Sequence, residues 1–473
     1  MNKKVKVGIL VDRNDIDSLS YEIIEWLKNN NQRYTIYILD QNLKKKVFFQ
    51  KIMSFILGFK LIYLINTIFF KTLLYIEKKF ILKDPLFKKI LKKNNLNRFE
   101  KNLIILNPIE NNSKFFLEFD NQSIVKIKKM KLDLIIRLGS KILKGKILKS
   151  SRKGIISLHH GDNQIFRGGP AGFWETYFGI NNSGFIIQQL TNKLDAGNII
   201  FRGFLKTEPY FLKNQINLRL RSNYYFKKVL EDYYFNRKFN FVKKYKVSKK
   251  IYKNPNCFQV MNYFLKLFYR KLFVMKKIYS WNIAVFNGNF DKIDHKKSLI
   301  TKKSNEYFLA DPFLYNHKKE YYIFAEKFSY REKKGKIVVF KYKDNSLKEL
   351  GTAINEKFHL SFPFIFRLKN NIYLIPDSSS NKDLRIYVSD KFPLKWKLHK
   401  IILKNVSATD TIVYKLDKEW QIVTNLNPNN TDDLNSELFL FNSSDPVNKK
   451  WKLSKDNPII INSLYARNGG IIF

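Results

Sequence analysis

GIISLHHGDNQIFRGGPAGFWETYFGINNSGFIIQQLTNKLDAGNII, residues 154–200, is the stretch from which the fold of the first half of the chain is read. The apolar run Ile155-Ile156-Ser157-Leu158 reads as a buried strand. Two of the six histidines, His159 and His160, follow where that strand ends. Next come a polar turn, Gly161-Asp162-Asn163, the run Arg167-Gly168-Gly169, and a second polar corner, Leu194-Asp195-Ala196-Gly197. In open α/β sheets the carboxyl ends of the strands are where ligands bind.

Outward from this stretch, apolar runs at 5–11, 34–39, 103–106 and 134–138 read as further strands, and 184–190 and 198–204 as strands flanking the Leu194–Gly197 corner. Helical spacing at 21–28 and 214–233 alternates with them, which implies a mainly parallel α/β sheet of Rossmann-like type. That domain is expected over residues 1–243, with a helical insertion at about 41–101. Within the insertion, residues 52–70 read IMSFILGFKLIYLINTIFF, interrupted by Lys60 and Asn66 and flanked by lysines. A membrane span there would split the α/β domain, so a surface or buried helix is the expectation.

Residues 244–280 read as a helical linker. Beyond Trp281 short alternating strands take over, with a repeat of roughly fifty residues. Ala310-Asp311-Pro312-Phe313, Leu360-Ser361-Phe362-Pro363 and Ala408-Thr409-Asp410-Thr411 open its three copies. Such a period suggests blades of a β-propeller over 281–473, and the chain stops at Phe473 inside what reads as a further, incomplete blade. Asp311 and Asp410 would open equivalent strands, with Ser361 in that place in the second copy; together with Arg467 the two aspartates are candidates for polar ligands such as sugar hydroxyls. A serine where acid/base chemistry wants a carboxylate argues against hydrolysis.

A length of 473 residues is too great for one ordinary core. The single cysteine, Cys257, excludes an intrachain disulfide and fits a reducing compartment. The apolar run near the start ends at Asp12, too short for a secretory signal. The formal charge of +47 comes from lysines spread over the whole chain, which disfavours specific nucleic-acid binding but suits an anionic membrane surface or a phosphorylated substrate. No zinc-like ligand spacing accompanies the histidines, so no metal is expected.

Residues 154–200 resemble the folate-dependent formyltransferase family, in which an apolar strand leads into Asn-x-His, a loop ends in Arg-Gly, and Leu-Asp-x-Gly follows. Here Ser157-Leu158-His159, Arg167-Gly168 and Leu194-Asp195-Ala196-Gly197 fill those places in order, with His159 and Asp195 thirty-six residues apart. Ser157 replaces the family's Asn, and Gly161-Asp162-Asn163 replaces its Ser-Leu-Leu-Pro loop. The resemblance implies transfer of a formyl group from 10-formyltetrahydrofolate to an amine. It implies His159 as oxyanion donor or proton shuttle, Asp195 as its partner and as a base acting through water, and Ser157 as a donor in place of the amide. His160, Asp162, Asn163, Arg167, Gly168 and Gly169 are the candidates for binding cofactor or acceptor.

The second half resembles the five-bladed propellers related to arabinanase-type glycoside hydrolases. More closely it is similar to the amino-terminal domain named after a plant glucosamine inositolphosphorylceramide transferase, through Ala310-Asp311-Pro312-Phe313, His359-Leu360-Ser361-Phe362-Pro363, Phe392-Pro393-Leu394-Lys395-Trp396 and Ala466-Arg467-Asn468-Gly469-Gly470. A carbohydrate-related companion points to an amino-sugar acceptor, nucleotide- or lipid-linked, in surface glycan assembly, in the cytoplasm and with membrane association. The alternatives are a methionyl-tRNA formyltransferase, an inactive carbohydrate-binding module, and a glycosidase or glycosyltransferase centred on the propeller.

Overall fold

Val5–Val11 is buried at every position except Lys6, as befits a strand covered on both faces. In the computed structural model, residues 3–11, 16–40, 61–92, 94, 103–109, 116–139, 141–193, 196–243, 246–274, 280–286, 288, 298–428 and 433–470 are described. Asp195 and residues 41–60 of the insertion lie outside them, and with them much of the apolar stretch 52–70. The chain divides into two units, Met1–Val274 and Met275–Phe473.

The first unit is built on β1 (Val5–Val11), β2 (Tyr34–Asp40), β3 (Leu103–Ile105), β4 (Leu134–Leu138), β5 (Ile155–His159), the short β6 (Arg167–Gly168), β7 (Asn182–Gln189), β8 (Asn198–Lys206) and the short β9 (Ile251–Tyr252). Seven of these form one sheet in the order β8-β7-β5-β4-β1-β2-β3. From β5 to β3 every pairing is parallel, while β7 runs antiparallel to β5 and β8 antiparallel to β7. The expected mainly parallel α/β sheet is therefore present, with an antiparallel edge.

The helices are α1 (Ser18–Asn29), α2 (Leu61–Ile81), α3 (Pro85–Ile90), α4 (Asn121–Lys129), α5 (Phe173–Phe178), α6 (Phe211–Asn236) and α7 (Cys257–Tyr269). Asp17 caps α1 by accepting from the N–H groups of Leu19 and Ser20, each at 3.0 Å. On one face of the sheet Ile124 and Ile127 of α4 pack with Leu10, Leu39, Ile135 and Ile155. On the other, the Tyr225 ring of α6 stacks on Phe185 of β7 and Phe201 of β8, at 5.9 and 4.9 Å.

The insertion helix α2 is locked to this body. Leu73 joins a buried cluster with Phe173, Trp174, Phe211, Val260 and Tyr263. Glu77 accepts the N–H groups of Phe211 and Leu212, which begin α6, and the hydroxyl of Tyr263 on α7. Those N–H groups have no partner within their own helix, so the carboxylate satisfies the helix start from outside. Residues 244–280, expected as a linker, thus contribute β9 and α7 to the first unit, which runs past the expected boundary at 243.

The second unit consists of antiparallel meanders. Tyr307–His317, Glu320–Ser329, Lys334–Lys343 and Ser346–Ile354 (β10–β13) form one sheet. Ser361–Leu368, Asn371–Asp377, Asp383–Lys391 and Lys395–Lys404 (β14–β17) form the next. Ala408–Leu416, Glu419–Leu426 and Glu437–Ser443 (β18–β20) form the third, in which Lys452–Leu453 and Ile460–Ile461 both pair with β20. Buried clusters bridge consecutive sheets: Phe324 and Val339 meet Leu374 and Tyr387, and Ile375 and Ile386 meet Ile422 and Phe441.

Each meander opens with the same irregularity. The pairing of the first two strands shifts between Ala310 and Phe313, between Ser361 and Phe364, and between Thr409 and Ile412. At each bulge one residue has left-handed backbone: Asp311 at φ 48°, Phe362 at φ 43° and Asp410 at φ 49°. The structural equivalent of Asp311 and Asp410 is therefore Phe362, and not Ser361 as the sequence pattern suggested. Ser361 is instead the equivalent of Ala310 and Thr409.

Candidate functional site

β5 ends the parallel part of the sheet, so the residues closing it sit at a carboxyl edge. Ser157 is buried in mid-strand, in register with Arg137 of β4 on one side and Gln188 of β7 on the other. His159 is the last residue of the strand, half-buried, opposite Ile186. The chain folds back closely over it, since a Cβ at Gly161 would lie 3.4 Å from its Nε2.

His160 turns elsewhere. Its Nδ1 lies 3.0 Å from the Ser222 hydroxyl of α6, and burial, with Arg219 and His159 adding, holds it well below the usual imidazole range. It is a neutral group tied to a helix rather than part of a ligand-facing loop. Asp162, expected on that loop, is buried: its Oδ1 accepts the Gln164 N–H at 3.1 Å and stands 3.4 Å from Nη2 of Arg202. Arg202, on β8, also donates to Gln164 Oε1 at 2.6 Å and Asn163 Oδ1 at 3.1 Å. Arg202 and Asp162 fix the loop from behind, and the polar character of the turn gave no sign of this inward orientation.

Arg167 donates to the carbonyl of Ser248 at 3.3 Å. Gly168 has φ 100°, and a Cβ there would stand 2.3 Å from the carbonyl oxygen of Tyr252, so the parallel pairing of β6 with β9 demands glycine. The N–H of Gly169 donates to that same carbonyl at 3.1 Å. These two glycines shape the wall of the site and do not touch its interior.

Asp195 lies outside the described residues. The backbone just beyond it is held tightly: the Gly197 N–H donates to Gln188 Oε1 at 3.0 Å. Between the Arg167 loop and this corner runs a cleft of about 940 Å³. Asn163 and Arg167 line one side, Lys193, Ala196 and Gly197 another, and Phe241 and Lys243 close it. Three cations and one aromatic ring thus border a cavity of small-molecule size.

Beneath the site Glu175 of α5 is buried among aromatic residues. Burial pushes its carboxyl up to about 7, and the nearby Asp162 adds to the shift. The sequence reading missed Glu175, Gln188 and Arg202. Only Glu175 left a trace, as an acid inside the aromatic run FWETYF.

The second unit gathers acids where the meanders begin. Arg467 donates from Nε to Asp410 Oδ2 at 2.7 Å, and Asp311 Oδ2 accepts the Phe362 N–H at 3.3 Å. Burial raises both aspartates while Arg467 opposes it. Glu326 and Asp377 join them from the second strands. Burial and the charges of Asp311 and Asp377 push Glu326 up to about 8; burial, with Asp410 and Asp311 adding, pushes Asp377 up to about 7. Both were missed, although the signal was present: Glu326, Asp377 and Asn425 each lie fifteen residues after Asp311, Phe362 and Asp410. The carboxylate that seemed missing from the second copy comes from Asp377, paired opposite Ser361. Among the described residues no group of His, Cys, Asp and Glu is set to hold a metal ion.

Comparison with known proteins separates the two halves. Residues 277–473 match the family described as Glucosamine inositolphosphorylceramide transferase 1, N-terminal. The transferase of that name from Arabidopsis thaliana is 39% identical over 170 residues, 35% of this chain and 22% of the plant protein. That from Oryza sativa subsp. japonica is 35% identical over 170 residues, 35% of this chain and 23% of its own length. The chain therefore spans under a quarter of the curated relatives it matches. Among solved structures, a sugar N-formyltransferase from a Shewanella species aligns with 14% identity and a TM-score of 0.33, over 53% of this chain and 76% of that one.

Proposed function

We propose that the first unit transfers a formyl group from 10-formyltetrahydrofolate to the amine of an amino sugar. The observation that carries this reading is the shared cleft: Arg167 and the residues Ala196-Gly197, from two separate formyltransferase-like motifs, line one cavity, while His159, the last residue of β5, is not among its lining residues. A cavity of that size, bordered by Asn163 and Arg167, is suited to a folate and an acceptor side by side. Bound there, the folate supplies the one-carbon group at the formyl oxidation level. His159 then donates a hydrogen bond to the carbonyl oxygen as negative charge develops on it, and Asp195 takes the proton that the attacking amine loses. Ser157, buried in mid-strand two residues before His159, is the donor that would stand in for the family's amide.

Arg167, Lys193 and Lys243 around the cleft favour a phosphate-bearing acceptor, hence a nucleotide- or lipid-linked sugar. The likeness of the second unit to a protein named for glucosamine transfer supports an amino sugar. Its three antiparallel meanders, two of four strands and one of five, and their recurring bulges fit successive blades of a propeller, in which Asp311, Glu326, Asp377, Asp410 and Arg467 would line one end and hold sugar hydroxyls.

Tetrahydrofolate release from 10-formyltetrahydrofolate, measured across a panel of nucleotide-linked amino sugars, tests the reading. His159→Ala and Asp195→Ala should each slow release roughly 100-fold with an unchanged melting temperature. Full activity in either variant would sink the assignment. Calorimetric binding of an amino-sugar nucleotide without any folate turnover would favour the inactive binding module instead.

A further inference from the structure

We propose that the outer faces of α2 and α7 together form a docking surface for an anionic phospholipid membrane. Both helices are apolar on two sides. Their inner sides meet in one cluster, where Leu73 packs with Val260 and Tyr263. They are also joined by polar contacts: Asn66 Oδ1 accepts the Cys257 N–H at 2.8 Å, and Glu77 accepts the Tyr263 hydroxyl. Because both helices lie over the same cluster, their far sides are directed away from the body of the unit.

Those far sides are apolar and uncovered. On α2, Leu61, Ile65 and Ile68 recur at helical spacing, flanked by Ile62, which is 76% exposed. On α7, Phe258, Met261, Leu265 and Phe268 recur at i, i+3, i+7 and i+10, with Phe258 74% exposed and Leu265 66%. A stripe of this kind on a helix already packed on its other side has no use for the fold. Large exposed apolar patches mark interaction sites.

The charge around the stripes selects the partner. Over residues 61–81 and 257–274 the cations are Lys71, Lys78, Lys79, Lys266, Arg270 and Lys271, while the one acid is Glu77, which is buried. An apolar stripe bordered by cations, with no exposed acid, complements an interface of acyl chains beneath anionic headgroups. No helix of the described residues is long and apolar enough to cross a membrane. The sequence had pointed to the insertion alone; the packing adds α7, which had read as a linker.

Sedimentation of the full chain with phosphatidylcholine vesicles, with and without phosphatidylserine, tests this. Binding should require phosphatidylserine and weaken with salt. Leu265→Asp with Phe268→Asp should reduce the bound fraction about tenfold with an unchanged circular dichroism spectrum. Lys78→Ala with Lys79→Ala, which leaves the apolar stripe intact, should weaken binding by a similar order. Lys415→Ala with Lys418→Ala, on the exposed surface of the second unit, should leave it unchanged. Equal loss in that last pair, or undiminished binding in the first two, overturns the proposal. So does a stable dimer in light scattering that Leu265→Asp with Phe268→Asp dissociates, since the stripes would then be covered by a second copy.

Discussion

At the scale of single residues, position was legible and direction was not. His159 ends its strand, and Arg167, Ala196 and Gly197 line one cleft, because strand ends and glycine-bearing turns are written in local sequence. Asp162 and His160 look the same on paper, yet one turns back to Arg202 and the other to Ser222. Those partners lie about forty and sixty residues further along, which no local pattern encodes. Glu175 is the sharpest case, since its environment comes entirely from packing. An acid raised to about 7 from an ordinary 4.5 holds its proton longer in the folded chain than in the unfolded one. Ionising it is therefore a cost to folding that is absent at pH 4, grows as pH rises between those two values, and is complete above about pH 8. At about 1.4 kcal/mol per pKa unit, the full penalty is on the order of 3 kcal/mol. Glu175→Gln should accordingly be as stable as the parent near pH 4 and clearly more stable at pH 8 in urea titrations. A constant offset across that range would mean that Glu175 is not buried as a lone acid.

At the scale of elements, the strands were read nearly to the residue: 5–11 and 134–138 match β1 and β4, because strands covered on both faces are near-continuous apolar runs, broken here only by Lys6 and Arg137. The repeat of the second half was also visible, but its frame was off by one. A β-bulge inserts a residue without marking the sequence, so Ser361 was aligned with Asp311 where Phe362 belongs. The insertion helix α2 shows the complementary failure. Glu77 sits beside Lys78 and Lys79 and reads as surface, whereas it is buried and accepts the first N–H groups of α6. Glu77→Ala would leave the Leu212 N–H and the Tyr263 hydroxyl without this acceptor, while the Phe211 N–H would keep the Tyr263 oxygen, to which it also donates at 2.8 Å. The expected loss is about 2–4 kcal/mol, seen as a lower melting temperature and faster amide exchange at the start of α6. Glu77→Gln, which keeps one acceptor oxygen, should recover part of it. If Glu77→Ala melted like the parent, α2 would not be held by this contact.

At the scale of the whole molecule, the chain is two units with separate cores and unequal relations to known proteins. The likeness at 277–473 to the plant transferase family is carried by sequence, while the reading of the first unit rests on three short motifs and one cleft. Energetically the division has a direct consequence. Leu374 is fully buried in a cluster drawn only from the second unit, and Ile135 in one drawn only from the first. Truncating either to alanine removes a buried side chain from one core and leaves the other untouched, at a cost of about 2–5 kcal/mol. Within the second unit the clusters bridge successive sheets, so a cavity at Leu374 should weaken that unit as a whole and not one meander alone. Scanning calorimetry should then resolve two transitions. Leu374→Ala should lower one by several degrees, Ile135→Ala the other, and the double variant should show both shifts unchanged, as distant sites without shared partners add. A single transition displaced by either variant would show instead that the two units fold as one cooperative body, and the docking and chemical roles assigned to the first could not be treated apart from the second.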